Sequence, residues 1–449
     1  YFLFITSKLS SIKFLYHAFK KNSRQKSKEQ KKSVLFIQSD TLSLNRKKRS
    51  QPHWVDKSCI NDYSTYIFSF GYSNSPEIND EKKLNQNNCF IIDPTLFRES
   101  IKYNKKNDVL KLIFKTIIKT TFKFFTSNGF QEKHHLLQIN KLFISSYFVS
   151  SIAIYLKTKV FLITEPQSIF SDALVLVSDK LSIKTIALQY SNMDIISPLM
   201  MSNANVYCIF SELYKRVFSY KNIKPDKYLV TGYIYNGLKD YLLEDSIKIK
   251  NYFKNLNVDF IVSYFDENIC IPQKLALYNK SDHENDIERL ASAVIEDNKL
   301  GIIIKTQFNY NSPIVLYPNN LIIQQALKTG RFMDISAGKF RNDIYPAQVA
   351  LASDLCIGHS YGATASLEAA VYGVKSVLIN HHNSTSKWDY LYNQNNIVFD
   401  SMKSLIRIFI NKSERNGIGD WSHIIHEFDY TQDFSAKEKL NNLIINNLN

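Results

Sequence analysis

Short apolar runs and longer amphipathic segments alternate along the second half of this 449-residue chain. Short apolar runs are typical of buried parallel strands, and here each run is followed by a segment with helical periodicity. The predicted strands are 259–263, 301–305, 331–335, 354–358, 375–379 and 396–399. The predicted helices are 284–297, 319–329, 344–352, 364–372, 386–394 and 401–412. This regular strand–helix repeat predicts a doubly wound parallel sheet of the α/β class.

The first half of the chain shows a less regular version of the same alternation. Its predicted strands are 34–38, 91–93, 160–164, 185–189, 206–209 and 228–231. Its predicted helices are 109–125, 136–156 and 172–180. Residues 160–189 form a strand–helix–strand pattern, which is the right-handed crossover of parallel sheets. We therefore expect two Rossmann-like doubly wound domains that face each other across a cleft.

A polar stretch at 243–257 separates the two halves, and we place the domain boundary there. The predicted organisation is a basic amphipathic N-terminal segment (1–32), an N-terminal domain (33–245), a C-terminal domain (246–430) and a last helix (431–449) that would return to the first domain. Two domains also agree with the length of the chain.

Charge is concentrated at the start of the chain. The net charge is +15, and the first 50 residues hold thirteen lysines and arginines against two acids. Within 1–21, apolar residues recur every three or four positions and the lysines lie off that stripe, which predicts a basic amphipathic helix. Such a helix either binds an anionic membrane surface or packs on the domain with its lysines in water.

The predicted helix 109–125 poses the same alternatives, because its lysines at 111, 115, 119 and 123 repeat every four residues. Nucleic acid is the other polyanion to consider. The sequence contains no recognised nucleic-acid-binding motif, so we expect no nucleic-acid partner.

Cysteine usage and hydropathy indicate a cytoplasmic protein. The five cysteines are scattered without a C-x-x-C pair, which argues against a disulfide framework or a zinc site. No apolar run reaches the ~18 residues of a spanning helix. The nearest run, 142–156, is uncharged but interrupted by serines, and we predict that it is a buried helix.

Residues 354–380 carry the strongest functional signal. The pattern is a short apolar strand, a turn at 359–363 that contains Gly362, a helix that starts at Thr364, and another buried strand. This unit directs free backbone N–H groups at the edge of a parallel sheet, where a phosphate can bind. Glu368 lies one turn inside the helix, a position suited to the ribose hydroxyls of a nucleoside diphosphate. The alternative is that any doubly wound domain contains such a unit and that Glu368 is a surface residue.

The stretch SLEAAVYGVKSVLI within this segment resembles the nucleotide-binding half of GT-B glycosyltransferases, especially those of bacterial surface-polysaccharide (capsule and O-antigen) assembly. The resemblance implies that Glu368 holds the donor ribose. It also implies that Ser360, Tyr361, Gly362, Ala363 and Thr364 surround the diphosphate. Many retaining members have a glutamate eight residues before the ribose glutamate. Here Ser360 occupies that position, which favours an inverting enzyme.

Three other segments resemble GT-B motifs and depart from them. VTGYIYNGLKDYL resembles the last strand and turn of the GT-B first domain, where an aspartate follows VTG by a few residues. Here Asp240 stands in that place, somewhat further along the chain. A "QHG"-like turn appears as Gln189 followed by Tyr190 and Ser191. A "KPHP" turn keeps its lysine as Lys305, but Gln307 replaces its histidine.

Sugar transfer from a nucleotide requires stabilisation of the leaving diphosphate and a base for the acceptor hydroxyl. The sequence has no D-x-D pair, so we expect no metal and no other cofactor. Lys305, at the end of a predicted strand, is then the best cation. His359 could bind a phosphate, and Asp334 could line the base pocket. The remaining candidates are Glu165 or Asp40 as the general base, and Gln189, Asp266, Glu267 and His382 as cleft residues.

The sequence supports three hypotheses. In the first, a glycosyltransferase moves a sugar from a nucleotide-activated donor to a surface-polysaccharide or lipid-linked glycan acceptor at the cytoplasmic face of the inner membrane. In the second, the same architecture serves a UDP-sugar 2-epimerase or a polyol-phosphate transferase. In the third, the protein is a non-catalytic partner in glycan assembly.

The sequence lacks a G-x-G-x-x-G turn, a Walker lysine loop and a G-x-S-x-G elbow, which argues against dinucleotide enzymes, P-loop enzymes and α/β-hydrolases.

Overall fold

The computed structural model describes residues 34–39, 64–69, 89–92, 94–104, 107–164, 166, 168–189, 191–194, 196–197, 200–220, 222–266, 278–306, 312–335, 344–360, 363–393, 396–429 and 435–448. The basic amphipathic segment predicted at 1–32 lies outside these residues.

Two parallel sheets are built one after the other along the chain. The strands of the first are β1 (Val34–Ser39), β2 (Ser64–Ser69), β3 (Cys89–Ile91), β4 (Thr158–Ile163), β5 (Lys184–Leu188), β6 (Val206–Ile209) and β7 (Lys227–Val230). The strands of the second are β8 (Phe260–Phe265), β9 (Leu300–Lys305), β10 (Phe332–Asp334), β11 (Leu355–His359), β12 (Ser376–Ile379) and β13 (Val398–Phe399). Their orders are β3-β2-β1-β4-β5-β6-β7 and β10-β9-β8-β11-β12-β13. In each sheet the order reverses once, which is the doubly wound topology of a Rossmann-like domain.

Helices cover both sheets. In the first half they are α1 (Pro94–Tyr103), α2 (Asp108–Thr126), α3 (Phe130–Leu156), α4 (Ile169–Leu181) and α5 (Lys239–Asn255). In the second half they are α6 (Lys280–Glu296), α7 (Pro313–Leu316), α8 (Leu321–Lys328), α9 (Pro346–Leu351), α10 (Thr364–Val371), α11 (Asp389–Tyr392), α12 (Met402–Ile410), α13 (Ile425–Phe428) and α14 (Ala436–Leu448). Because β9 and β11 are buried along their full lengths, they read as continuous apolar runs in the sequence.

The predicted α/β class with two Rossmann-like domains is confirmed, and the strands of the second sheet lie within two residues of their predicted positions. Some elements differ from the sequence predictions. β2, α1, α7 and α13 have no predicted counterpart. The polar stretch 243–257 is mostly helix, because α5 spans Lys239–Asn255. The helix α5 buries Leu242, Ile249 and Phe253 while its other faces carry charge, which explains its polar composition.

The two domains share one continuous hydrophobic core cluster, which contains Leu367 and Trp388 from the second half and Tyr214 from the first. The ring of Trp388 is 1% exposed and packs edge-on against Tyr214 at 5.9 Å between centroids. Its Nε1 donates to the carbonyl of Met193 at 3.2 Å. The chain then returns to the first sheet, where Leu440, Ile444 and Leu448 of α14 pack on β4, β5 and β6.

Among the described residues, α3 is the one helix that is long and apolar enough to cross a membrane by length and composition, and 50% of its most apolar window is buried in the protein. Its second half supplies Phe148, Val149 and Ile152 to the core of the first domain. The prediction that 142–156 is a buried helix therefore agrees with the packing of α3.

Candidate functional site

The candidate site lies where the strand order of the second sheet reverses, between β8 and β11. At such a switch point, the loops that follow neighbouring strands diverge to opposite faces of the sheet and leave a crevice at its carboxyl edge. β8 ends at Phe265 and β11 ends at His359, and the turn after β11 leads directly into α10. The segment singled out in the sequence therefore occupies the position where ligands bind in this class of sheet.

The turn between β11 and α10 is tightly built. The amide of Ala363 donates to the carbonyl of His359 at 3.2 Å, and Ala363 adopts a positive φ of 24° before the helix begins at Thr364. The Ser360 hydroxyl is buried and has no hydrogen-bond partner among the described residues. A buried hydroxyl without a partner is costly, and a ligand oxygen in the turn would satisfy it. Tyr361 and Gly362 lie outside the described residues.

Gly358 permits α10 to approach β11 closely. A Cβ atom at this position would collide with the hydroxyl oxygen of Ser366 in the first turn of α10. The absence of a side chain lets the helix start directly over the strand end, which is the role of a glycine in phosphate-binding turns of this topology.

Glu368, the predicted partner of the ribose, and Lys305, the predicted cation for the diphosphate, are both buried. Glu368, in the second turn of α10, is 2% exposed. Lys305 is the last residue of β9 and is 6% exposed, and its Nζ donates to the carbonyl of Thr306 at 2.8 Å. A lysine held at the carboxyl edge of the sheet places positive charge beside the crevice at low local dielectric, where its effect on a diphosphate is large.

Asp334 ends β10, the edge strand next to β9, and its Oδ2 accepts a hydrogen bond from the hydroxyl of Ser312. Asp266 directly follows β8, and Glu267 lies outside the described residues. β9, β8 and β11 are neighbours in the sheet. Lys305, Asp266 and His359 therefore follow or end three adjacent strands.

A buried hydrogen-bond network, which the sequence did not predict, lies beneath this edge. Tyr278 donates to Asp286 Oδ2 at 3.0 Å, and the hydroxyls of Tyr264 and Tyr278 are 2.6 Å apart. The Tyr264 hydroxyl is 2.9 Å from His359 Nε2. Because each hydroxyl has one hydrogen, Tyr278 gives its own to Asp286 and Tyr264 gives its own to Tyr278. Tyr264 then accepts from His359, which assigns the proton of His359 to Nε2.

This assignment leaves His359 Nδ1 as a bare acceptor, buried and without a hydrogen-bond partner among the described residues. Burial, with the neighbouring His381 and His283, also lowers the pKa of His359 well below its ordinary value. Its imidazole is therefore neutral at pH 7 and has no spare N–H. In this arrangement His359 holds the network and adds no positive charge to a phosphate.

The loop after β12 is attached to the first turns of α6 by two histidines. His381 donates from Nε2 to Asp286 Oδ2 at 2.8 Å, and His382 donates to Asp282 Oδ2 at 3.1 Å. Burial lowers the pKa of His381, but the bond to Asp286 and its charge outweigh burial, and the net pKa of His381 is raised. Asp282 and Asp286 are one helical turn apart, so adjacent histidines in a turn can reach both.

Asp286, His359 and His381 are the described residues that could hold a metal ion, since their ligand atoms lie within 4.8 Å of one another. Burial raises the pKa of Asp286, and bonds from His381 and Tyr278 oppose that rise. Tyr278 and His381 thus already donate hydrogen bonds to Asp286 Oδ2, the carboxylate oxygen nearest the two histidines. A further buried histidine, His283, bonds through Nδ1 to the Tyr317 hydroxyl at 2.7 Å, and burial lowers its pKa to about 4.

The first domain reaches this site through the loop after β5. The amide of Asn192 donates to the hydroxyl of Thr364 at 3.0 Å, so the start of α10 is fixed against the first domain. Gln189 is 4% exposed, and its side chain accepts from Phe210 N at 2.8 Å and donates to the carbonyl of Ser191 at 3.0 Å. Gln189 therefore shapes this loop rather than presenting its amide to the cleft.

Glu165 and Asp40, the predicted general bases, lie outside the described residues. The strands that precede them in the sequence, β4 and β1, are neighbours at the point where the order of the first sheet reverses. The sequence thus provides a carboxylate after each of the two strands at the first switch point.

Sequence reasoning missed Tyr264, Tyr278, Asp286 and His283 as members of this site. Tyr264 directly follows the predicted strand 259–263, and no sequence pattern connects α6 with the β11 edge. Since 95 positions separate His359 from Tyr264 and Asp286 from His381, no local pattern could have joined them.

Comparison with known proteins identifies the fold. No protein-family model matches the chain, and no curated protein sequence matches it. Among solved structures, UDP-GlcNAc 2-epimerase from Neisseria meningitidis bound to UDP-GlcNAc aligns with a TM-score of 0.51 and 12% identity, over 92% of this chain and 100% of that one. S. aureus MnaA bound to UDP aligns with a TM-score of 0.51 and 11% identity, over 92% and 96%. The wall teichoic acid polymerase TagF aligns with a TM-score of 0.50 and 10% identity, over 93% and 90%. The chain has the GT-B fold, as the sequence resemblance implied.

Proposed function

We propose that this protein is a nucleotide-sugar-dependent GT-B enzyme that transfers a sugar from a nucleotide-activated donor to a surface-polysaccharide or lipid-linked glycan acceptor. The β11–turn–α10 unit at the switch point of the second sheet carries the proposal. It combines an unpartnered buried hydroxyl at Ser360, a helix start at Thr364 and a carboxylate at Glu368. The GT-B structures solved with UDP or UDP-GlcNAc support a nucleotide-sugar ligand.

Each donor group has a proposed partner. The diphosphate lies at the turn formed by Ser360, Tyr361, Gly362, Ala363 and Thr364, where the first backbone N–H groups of α10 and the helix dipole favour an anion. Lys305 neutralises the charge that develops on the leaving diphosphate. Glu368 accepts hydrogen bonds from the ribose hydroxyls, and Asp334 lines the base pocket.

We propose Glu165, with Asp40 as the competing candidate, as the base that removes the proton of the acceptor hydroxyl. Asp266, Glu267 and His382 would line the cleft between donor and acceptor. Ser360, in the position of the second glutamate of many retaining relatives, favours inversion at the sugar. We propose catalysis without a metal, so activity should persist in EDTA.

A thermal-shift screen with UDP, CMP, GDP and CDP tests the proposal first and reports the donor base. Lys305→Met and Glu368→Gln should each weaken binding of the preferred nucleotide about ten- to a hundredfold, the amount expected for one charge-assisted hydrogen bond. Lys328→Met and Glu438→Gln make the same changes at exposed helical positions and should bind like the wild type. Nucleotide affinity that is the same in all four variants would refute the site.

The epimerase is the second candidate, because a UDP-GlcNAc 2-epimerase is among the aligned structures. A polyol-phosphate transferase is the related candidate, given the likeness to the teichoic acid polymerase. Product analysis distinguishes them. An epimerase converts its nucleotide-sugar without an acceptor, whereas a transferase releases the nucleotide only when an acceptor is present. No thermal shift with any nucleotide would favour the non-catalytic assembly role.

We also propose that the protein works at the cytoplasmic face of the inner membrane, with the basic segment 1–32 as a peripheral anchor. Cell fractionation with alkaline extraction checks this placement, since a peripheral protein leaves the membrane under that treatment and a spanning protein does not.

A further inference from the structure

The helices α2 and α3 form an antiparallel hairpin joined by the short loop 127–129, which we call the α2–α3 hairpin (residues 108–145). On one side of α2, Leu110, Ile113 and Phe124 are buried, and Phe124 packs on Leu136 of α3. The opposite side of α2 is largely exposed among the described residues, and there the ring of Phe114 lies near that of Tyr147 of α3, at 6.1 Å between centroids. This side nevertheless carries large apolar side chains that remain more than half exposed.

The uncovered side of α2 has two parallel rows of side chains. Phe114, Ile118 and Phe122 form an apolar row, and they are 54%, 56% and 71% exposed. The lysine row consists of Lys111, Lys115, Lys119 and Lys123. Residues four apart lie above one another on a helix, so each row runs along α2 and the two rows lie side by side.

The tip of the hairpin extends the apolar row. Phe125 is 63% exposed at the end of α2, and Phe130 is 87% exposed at the start of α3. Every exposed phenylalanine in the described part of the chain lies on this hairpin, at positions 114, 122, 125 and 130. A contiguous exposed apolar strip on one element indicates an interaction surface rather than scattered surface residues.

Charge identifies the partner. Residues 108–141 contain six lysines against the two acids Asp108 and Glu132, a net charge of +4. Both acids are engaged, Asp108 with Lys111 at 2.9 Å and Glu132 with Lys123 at 3.6 Å. Lys115 and Lys119 have no ion pair within the described structure. An apolar strip edged by unpaired lysines matches a surface that is apolar inside and anionic outside.

We propose that the α2–α3 hairpin lies on an anionic lipid bilayer. The phenylalanines of α2 and of the tip enter the boundary between headgroups and acyl chains, and the lysine row contacts lipid phosphates. The hairpin rests on the membrane and does not cross it, because the second half of α3 is part of the protein core, where Val149 and Ile152 are 0% exposed. The hairpin shares no residue with segment 1–32 or with the proposed nucleotide site. The inference therefore does not depend on the proposed function.

Co-sedimentation of the full chain with phosphatidylcholine vesicles, with and without phosphatidylglycerol, tests the proposal. The wild type should bind the anionic vesicles. Phe122→Ser/Phe125→Ser should weaken that binding at least about tenfold, as expected when two aromatic side chains no longer insert. Lys115→Glu/Lys119→Glu should weaken it by a similar factor and should remove much of its salt dependence.

Two matched control variants test whether the same substitutions at exposed positions outside the hairpin affect vesicle binding. Leu321→Ser removes an apolar side chain that is 83% exposed on α8. Lys250→Glu/Lys254→Glu reverses two exposed lysines at the same spacing on α5. Both controls should bind vesicles like the wild type. All variants keep segment 1–32, so any membrane binding by that segment is common to them.

Two results overturn the proposal. One is equal vesicle binding by the wild type and both hairpin variants. The other is a wild type that does not bind vesicles and self-associates in sedimentation equilibrium, while Phe122→Ser/Phe125→Ser is a monomer. The hairpin would then be covered by a second copy of the chain. Unchanged thermal unfolding shows that the exposed substitutions leave the fold intact. Nucleotide-induced thermal shifts on the same variants keep this test independent of the enzymatic proposal.

Discussion

At the residue scale, the contact between Gly358 and Ser366 decides how closely α10 approaches the sheet. In Gly358→Ala the new methyl group meets the Ser366 hydroxyl, and we expect a loss of about 1–3 kcal/mol in the free energy of unfolding, the usual cost of overpacking. The start of α10 should also shift, so nucleotide affinity should fall. Denaturant unfolding followed by circular dichroism measures the first effect.

A second-site change makes this prediction specific. Ser366→Ala removes the colliding oxygen and leaves the Ser366 Cβ position at 3.5 Å, an ordinary contact distance. The double variant Gly358→Ala/Ser366→Ala should therefore recover most of the lost stability. Gly417→Ala is the control, since a Cβ there meets nothing within 4 Å. A double variant that is no more stable than Gly358→Ala would show that the contact is not the cause.

The sequence revealed only part of this site, and the reason is the range over which residues interact. Ser360, Thr364 and Glu368 can be proposed from the sequence because a turn and the helix that follows it are a local pattern. The network of Tyr264, Tyr278 and Asp286 was not found. It depends on the pairing of β8 with β11, which brings together residues far apart in the chain.

At the element scale, α14 shows how a terminal helix joins two halves of the chain. Ile444 is 0% exposed and lies in the cluster with Val160, Leu162 and Ile186 of the first sheet. Ile444→Ala should lower the free energy of unfolding by about 2–4 kcal/mol, through lost apolar burial and the cavity left behind. Asn446→Ala, at an exposed position of the same helix, should change it by less than about 0.5 kcal/mol. Equal stability of the two variants would mean that α14 does not hold the first sheet.

The burial of each element decides how well the sequence predicts it. β9, β11 and β12 are buried along their full lengths, so each appears as a largely apolar run between polar segments. The segment of α5 looks polar in the sequence because its buried residues form one narrow stripe of four, Leu242, Ser246, Ile249 and Phe253. α6 starts four residues before its predicted start, since the side chain of Asn279 accepts from Asp282 N and caps it.

At the scale of the whole molecule, the interface between the domains is polar as well as apolar. Asp194, in the loop after β5, is 9% exposed, and its carbonyl accepts from Lys387 N at 2.8 Å. Burial raises the pKa of the Asp194 carboxyl to about 6, although a hydrogen bond from Ser386 opposes the rise. A carboxyl that resists ionisation at a domain contact makes that contact sensitive to pH.

The sign of this effect follows from proton binding. The unfolded chain releases the proton of Asp194 near pH 3.8 and the folded chain releases it near pH 6, so the folded state holds more protons between these values. Stability from this group is therefore greatest below about pH 4, falls as the pH rises to 6, and stays lower above it. A shift of this size corresponds to at most about 3 kcal/mol at pH 7.

Asparagine at position 194 cannot ionise, so Asp194→Asn should not lose this stability as the pH rises from 4 to 6. We expect the variant to unfold at a higher temperature than the wild type at pH 7.5 and at nearly the same temperature below pH 4. The fluorescence of Trp388, whose indole donates to the neighbouring Met193 carbonyl, reports on this interface. Asp240→Asn removes the same charge from an exposed position of α5 and should follow the wild-type pH profile. If Asp194→Asn unfolds no later than the wild type at pH 7.5, its ionised carboxylate is tolerated at the interface, and the domains are held together independently of its protonation.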